Sequence, residues 1–527
     1  MASSEAIWLP VAAGVILLLM AVLVVYVEVV KLRRLRLTLQ RFPRHCTSSS
    51  STTQPVGVLS AAPLAGPAVL GSYSSPHRLL FGAKGASIFT TRERFANTSA
   101  TYFCAKWQLR DCFLSSTRPL NGLVITSDPD VVYAVLSNAE DWIKLGAFSR
   151  SSSLASISAL ACTSATGENS IRQRRILSRA MPNKKSLLML VKRAGEFFIE
   201  QVSLQREAHS AVDILPAIYQ SCLRLITELV FGRLGAKTER FMAVYMPFWE
   251  LVRTNVVHLS AAQRRERMTA IATGVSAVRA CLAELITAPE DQELPSSSSE
   301  QEKRMLDHLR EHTEAAASSS NPPHDMLSPE ELLHNLHNLV TAAFETTAHT
   351  LAASLFFLSS SAEQQELARG DREYLKWVVR ESLRLLPPVL QTSRVSTKTI
   401  TAGPLTFPPQ MTVMVDFLAL MRSEKHWGPS ASSFHPQRWA NLAPDSPLRK
   451  LWLPFGTGPK SCLGRSLAMD IVEQMLGTFL AQFRFRSASK NFKPDFAQTP
   501  TLRFKGKLVL IVTKGIARGP LNSSERA

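Results

Sequence analysis

The stretch Phe455-Gly456-Thr457-Gly458-Pro459-Lys460-Ser461-Cys462-Leu463-Gly464 constrains this chain more than any other. It sets one cysteine in a glycine-rich turn, and a helical pattern begins at once behind it. Leu467, Ile471, Met475 and Phe479 recur at helical spacing up to about Phe483. Glycines at 456, 458 and 464 let a backbone approach a flat ligand closely and take up positive φ. The pattern places Cys462 at a helix N-terminus, where the dipole and free N–H groups favour a thiolate. An isolated cysteine is ordinarily a buried structural one. In this setting, with Phe455 in front and glycines on both sides, the residue types point instead to an iron ligand held by a backbone loop.

The rest of the composition agrees with a large globular protein rather than a scaffold of disulfides or zinc. Seven cysteines (46, 104, 112, 162, 222, 281 and 462) are spread irregularly with no C-x-x-C pair, which argues for a reducing compartment. Hydrophobic residues make up 45% of the 527, enough for one large core. The formal charge of +18 suits an anionic membrane face or an acidic protein partner. Nucleic acid is the competing partner for such a charge, but no nucleic-acid-binding motif is present.

Along the chain, Ile7 to Val27 carries no charge and is long enough to cross a bilayer core. A secretory signal would need positive charge before it and a small-residue cleavage site behind it. Here only Glu5 precedes the run, and Lys31, Arg33, Arg34 and Arg36 follow, so the segment reads as a retained anchor with the remainder cytosolic. Cys46 to Gly71 is Ser/Thr- and then Pro/Gly-rich, a linker. Leu123-Val124-Ile125 reads as a strand, and Asp128-Pro129 starts a helix. Ser149 to Ser164 reads as a loop. Ile171 to Ala180, with Arg172, Arg174, Arg175 and Arg179, is by default a solvated helical face, unless an acidic cofactor lies against it. Ser186 to Ala288 is mostly helical, and Pro289 to Pro323 reads as a polar surface loop.

Ser328-Pro329-Glu330-Glu331 is a helix start, and the helix it opens runs to about Leu358, roughly 45 Å at 1.5 Å per residue. Leu332, Leu333, Leu336, Leu339, Val340 and Phe344 make it apolar. In its middle stand Ala342-Ala343-Phe344-Glu345-Thr346-Thr347; acid and hydroxyl groups in a buried helix are costly for folding alone. A hydroxyl bonding back to the preceding turn is the plainer account of Thr346. Asp371 to Leu386 is a further helix, with Glu381 and Arg384 three apart, closed by Pro387-Pro388. Val389 to Val415 reads as short strands, and Phe434 to Trp439 as irregular.

This order of motifs resembles the cytochrome P450 family, the haem-thiolate monooxygenases, most closely the membrane-anchored eukaryotic type. The resemblance implies a mainly α fold with small β-sheets, preceded by one transmembrane helix. The expected division is an anchor at 1–30, a linker at 31–71, a haem-thiolate domain at 72–515 and a tail at 516–527. It implies a b-type haem ligated by Cys462 in the loop of Phe455, Gly456, Gly458 and Gly464. Lys460, Arg394 and Arg174 match the residues that face the propionates. Glu381, Arg384 and Arg438 match a structural charge network, and Thr346 with Glu345 the proton relay to dioxygen. Ala342, Ala343, Phe344, Val389 and Leu390 match the substrate pocket, together with Ser149 to Ser164, Phe241 to Val257 and the turn near Thr499-Pro500. Departures from the family pattern are Ser170 for Trp, Ala343 for Gly, Lys460 for Arg and Met411 for a turn Gly. The chain contains no nicotinamide or flavin motif. By resemblance its electrons come from an NADPH-dependent reductase, with cytochrome b5 as a further candidate donor. The expected setting is the endoplasmic reticulum, and the expected substrate a small lipophile such as a sterol or fatty acid. A haem-thiolate isomerase or dehydratase, or a non-catalytic haem carrier, are the other classes consistent with these residues.

Overall fold

The computed structural model describes residues 102–104, 122–144, 155–208, 211–232, 234–253, 260–288, 304–317, 326–403, 405–440, 442–443, 445–489, 494–498 and 501–515. The apolar run Ile7 to Val27, the linker and the turn at 499–500 lie outside the described residues. Helices dominate. The principal ones are α1 (Pro129–Ser137), α2 (Gly167–Arg179), α3 (Lys184–Ala208), α4 (Leu215–Phe231), α5 (Ala236–Arg253), α6 (Ala261–Thr287), α7 (Met305–Ala317), α8 (Pro329–Leu358), α9 (Arg372–Leu385) and α10 (Arg465–Gln482).

One five-stranded sheet collects β1 (Tyr102–Cys104), β2 (Gly122–Thr126), β3 (Trp142–Ile143), β4 (Gln391–Ser396) and β5 (Met411–Asp416) in the order β1-β2-β5-β4-β3. Its β2–β5 pairing is parallel, Val124 opposite Val413, and the others are antiparallel. Smaller sheets pair 211–213 and 483–487 with 509–514, and 495–498 with 502–505.

Local chemistry sets the element ends. The Asp128 carboxylate accepts from the amides of Asp130 at 3.0 Å and Val131 at 3.2 Å, opening α1 at Pro129. Ser328 and Glu331 form a reciprocal capping box at the start of α8, 3.1 Å and 2.9 Å. The 30-residue α8 crosses the core, with Leu336, Val340, Phe344, Ala348, Leu351 and Leu355 fully buried. Asp371 caps α9, and Pro387-Pro388 follows its end.

Two expectations are corrected. The polar stretch from Pro289 to Pro323 contains helix α7, because Met305, Leu306 and Leu309 share a face and bury it in the core. Ser149 to Ser164 is not loop throughout: Ala155–Ser158 forms a short helix, with Ile157 buried. Among the described residues one helix, α6, is long and apolar enough to cross a bilayer. Val278, Leu282 and Leu285 of α6 lie in the same core as α8.

Candidate cofactor site

The Cys462 loop is closed by two backbone bonds, Gly456 N to Leu453 O at 3.0 Å and Cys462 N to Phe455 O at 2.8 Å. Gly456 and Gly458 have φ of +66° and +72°, whereas Gly464, the N-cap of α10, sits at −89°. At Gly458 conformation and space agree: a Cβ would collide with the Leu136 carbonyl of α1. Gly458→Ala is therefore expected to lower stability by at least about 2 kcal/mol, read as a shifted denaturation midpoint. At Gly464 a Cβ would meet nothing within 4 Å, so Gly464→Ala serves as the tolerated control.

The Cys462 sulfur is exposed to solvent yet crowded by protein, and this burial raises its thiol above the usual range. The Gly464 backbone, Arg174, Lys144 and Arg465 oppose the shift without overcoming it. The Gly464 amide that favours the thiolate belongs to the N-cap of α10, and burial of the sulfur outweighs it.

Four cations converge beside this loop. Arg174 of α2 donates to the Ser461 carbonyl at 2.7 Å. Lys460 donates to the Ala165 carbonyl at 2.7 Å and to the Ser170 hydroxyl. Arg394 of β4 is only 3% exposed and donates to Thr392 Oγ1 and the Ser393 carbonyl, at 3.2 and 2.9 Å. Lys144, at the end of β3, completes the group. Burial first, then the neighbouring cations, pulls Lys144 and Lys460 down to about 8; burial pulls Arg394 to about 10. Among the described residues none of the four is paired with a carboxylate. Buried positive charge without a counter-charge is costly, and a dianionic ligand removes that cost. The residues therefore fit a flat group bearing two carboxylates above a sulfur ligand. Lys144 escaped the sequence reading because it is a single lysine after a two-residue strand, in no motif.

On α8 the strip Ala342, Ala343 and Thr346 is open to solvent, although Val340, Phe344 and Ala348 around it are fully buried. Thr346 Oγ1 donates to the Ala342 carbonyl at 2.8 Å, the back-bonded geometry. Glu345 points elsewhere. Its carboxylate is 1% exposed, 3.3 Å from Arg253 Nη1, and accepts from Thr501 Oγ1 at 2.6 Å. Arg253, at the end of α5, also bonds Glu250 and stacks 4.9 Å from the Tyr219 ring centre. Phe344 packs edge-on against Tyr245 and Trp249, 5.7 and 5.9 Å away, with no exposed surface, and Leu390 is likewise buried. Of the five pocket candidates, Ala342, Ala343 and Val389 are the ones open to solvent; the expected pocket positions 254–257 lie outside the described residues.

The charge network is fully formed. Glu381 and Arg384 both have 0% exposure and share two bonds, 2.8 and 2.9 Å. Arg438 Nε, the His435 amide and the Trp439 indole complete the carboxylate's shell at 2.8, 3.1 and 3.1 Å. Arg384 further donates to the carbonyls of Met421, Ala431 and Ser433. This ties α9 to the segment leading into the Cys462 loop.

Comparison with known proteins agrees with this arrangement. The family model described as Cytochrome P450 matches residues 121–512. Cytochrome P450 714C2 of Oryza sativa subsp. japonica is 28% identical over 204 residues, 35% of this chain and 38% of that protein. Cytochrome P450 3A17 of Cavia porcellus is 27% identical over 211 residues, 37% of this chain and 42% of that protein. Cytochrome P450 CYP72A616 of Paris polyphylla is 24% identical over 404 residues, 71% of this chain and 75% of that protein. The chain thus spans about two fifths of the first two relatives and three quarters of the third. With the cysteine loop, the cation group and the buried Glu381–Arg384 network in place, and a family match over most of its length, the chain belongs to the cytochrome P450 family.

Proposed function

We propose that the protein is a membrane-anchored haem-thiolate monooxygenase that inserts one oxygen atom from dioxygen into a lipophilic substrate. The observation that carries this reading is the cluster of four cations beside Cys462 that no carboxylate among the described residues pairs. When bound, a b-type haem supplies dioxygen binding and activation and accepts electrons one at a time. The Cys462 sulfur is its metal ligand. Lys144, Arg174, Arg394 and Lys460 hold its propionates, two cations for each charge. Ala342 and Ala343 would border the pocket beside it, Ala343 narrowing the space that the family's glycine leaves.

Thr346 stands on the open strip, and its Oγ1 holds a proton for the reacting oxygen. Glu345 is ion-paired with Arg253 and accepts from Thr501, so a relay from Glu345 to Thr346 requires its carboxylate to leave those partners. Electrons come from a separate NADPH-dependent reductase docking on the Cys462 side, and the chain's overall basic surplus suits an acidic partner. Ile7 to Val27 anchors the chain in the endoplasmic reticulum, the catalytic domain is cytosolic, and the substrate is a sterol or fatty acid drawn from lipid.

Incubating the protein with reductase, NADPH, a lipid extract and isotopically labelled dioxygen tests this reading. A product carrying one labelled oxygen atom supports it; NADPH-independent conversion without label contradicts it. Thr346→Ala is expected to lower product per NADPH by about tenfold or more, the lost electrons appearing as hydrogen peroxide. Full turnover in that variant with no consumption of NADPH and no peroxide would favour the isomerase or dehydratase class.

A further inference from the structure

The first half of α8 carries four polar side chains, His334, Asn335, His337 and Asn338, all buried. Such groups oppose folding unless they are bonded. All four reach the same six-residue segment, Ser158–Thr163. His337 Nδ1 lies 2.9 Å from Ser158 Oγ. The Leu160 amide donates to His334 Nδ1 at 3.0 Å, and the Cys162 amide to Asn335 Oδ1 at 2.9 Å. Thr163 Oγ1 donates to Asn338 Oδ1 at 2.8 Å.

The bonds continue on both sides. His337 Nε2 is 3.3 Å from Thr341 Oγ1, which lies 2.6 Å from the Tyr245 hydroxyl of α5. Asn335 Nδ2 donates to Gln173 of α2 at 3.0 Å. The Cys162 carbonyl accepts from Ser170 Oγ at 3.3 Å, and that same hydroxyl takes the Lys460 ammonium. Ser170, the position of the family's tryptophan, therefore links this segment to the cation group. The polar rail also borders the open strip: Asn338, Ala342 and Thr346 follow one another at four-residue steps along one face.

We propose that His334, Asn335, His337 and Asn338 are positioning residues that fix Ser158–Thr163 as a rigid wall of the pocket and so set the shape of ligand it admits. Apolar packing alone leaves such a segment free to slide. Four directional bonds fix its register instead. The inference rests on the proposed haem site only for the identity of the pocket; the rail itself is independent of it.

The test uses the full-length haem-loaded protein and its His337→Leu, Asn338→Ala, Ser158→Ala and His337→Gln variants. Amide hydrogen exchange across Ser158–Thr163 reports the wall. Optical titration with imidazole and with the bulkier phenylimidazole reports the shape it imposes. His337→Leu and Asn338→Ala are expected to speed exchange there by about tenfold, one bond's worth or a little more, with a smaller change in Ser158→Ala. They are expected to shift the ratio of the two azole affinities by a similar factor, while His337→Gln restores both readouts. A merely structural role would weaken both azoles alike and leave their ratio unmoved. Unchanged exchange and an unchanged ratio overturn the proposal, as does a ratio shift that His337→Gln does not reverse. If azoles cause no optical change in the parent protein, the haem reading has failed, and the exchange experiment still decides the rail.

Discussion

Glu381→Ala is expected to destabilise the fold by about 4 kcal/mol, the range for breaking a buried ion pair from one side. Arg384 has no exposed surface and would keep its charge without a counter-ion. Arg438 Nε, the His435 amide and the Trp439 indole would lose an acceptor in the same step. Each stranded donor adds its own desolvation cost. Glu381→Gln keeps acceptor atoms but not the charge, and is expected to lie between the parent and the alanine variant. Replacing both Glu381 and Arg384 by apolar residues is not expected to rescue the fold, because the carbonyls of Met421, Ala431 and Ser433 then lose their donor. Denaturant titration followed by tryptophan fluorescence measures the difference: Trp439 touches the network directly and Trp427 lies under Arg384, 5.1 Å from its guanidinium carbon. A loss below about 1 kcal/mol would show that the network is dispensable for the fold.

How much of this was legible in the sequence follows from how local each feature is. The capping box of α8, the Asp128-Pro129 start of α1 and the Pro387-Pro388 stop are decided within four residues, and the helices stand where these signals put them. Glu381 and Arg384 are one helical turn apart, so their pairing was readable, and Arg438 came through the family resemblance. The Trp439 and His435 contributions were not readable, since they depend on how the stretch after Ser433 folds back onto α9. Arg253 reaches Glu345 across 92 positions of sequence, and nothing local marks it. Glu345 beside Thr346 reads as an adjacent pair, yet adjacent helical residues point in different directions, and only Thr346 lies on the open strip. Helix α7 was masked by the polar composition on both sides of it. The rail of His334, Asn335, His337 and Asn338 was hidden for the opposite reason: the leucines between them gave α8 an apolar signature, and the partners that satisfy the polar groups come from a distant segment.

The placement of Cys462 was the strongest local signal, but its chemistry needed the structure. The glycine-rich loop and its closing bonds are local. The raised thiol is not: it results from protein packed around the sulfur by several elements. The four cations likewise come from β3, α2, β4 and the loop itself, and only the fold brings them together. A cysteine loop beside cations that no carboxylate among the described residues pairs fits a group that supplies both a metal for the sulfur and carboxylates for the cations.

The carbon monoxide difference spectrum of the dithionite-reduced protein tests that account most directly. The parent chain is expected to show the strongly red-shifted Soret band of a thiolate-ligated haem, and Cys462→Ala to lose that band altogether. A parent protein that binds haem without the red-shifted band, or a Cys462→Ala variant that retains it, would contradict the assignment of Cys462 as the iron ligand.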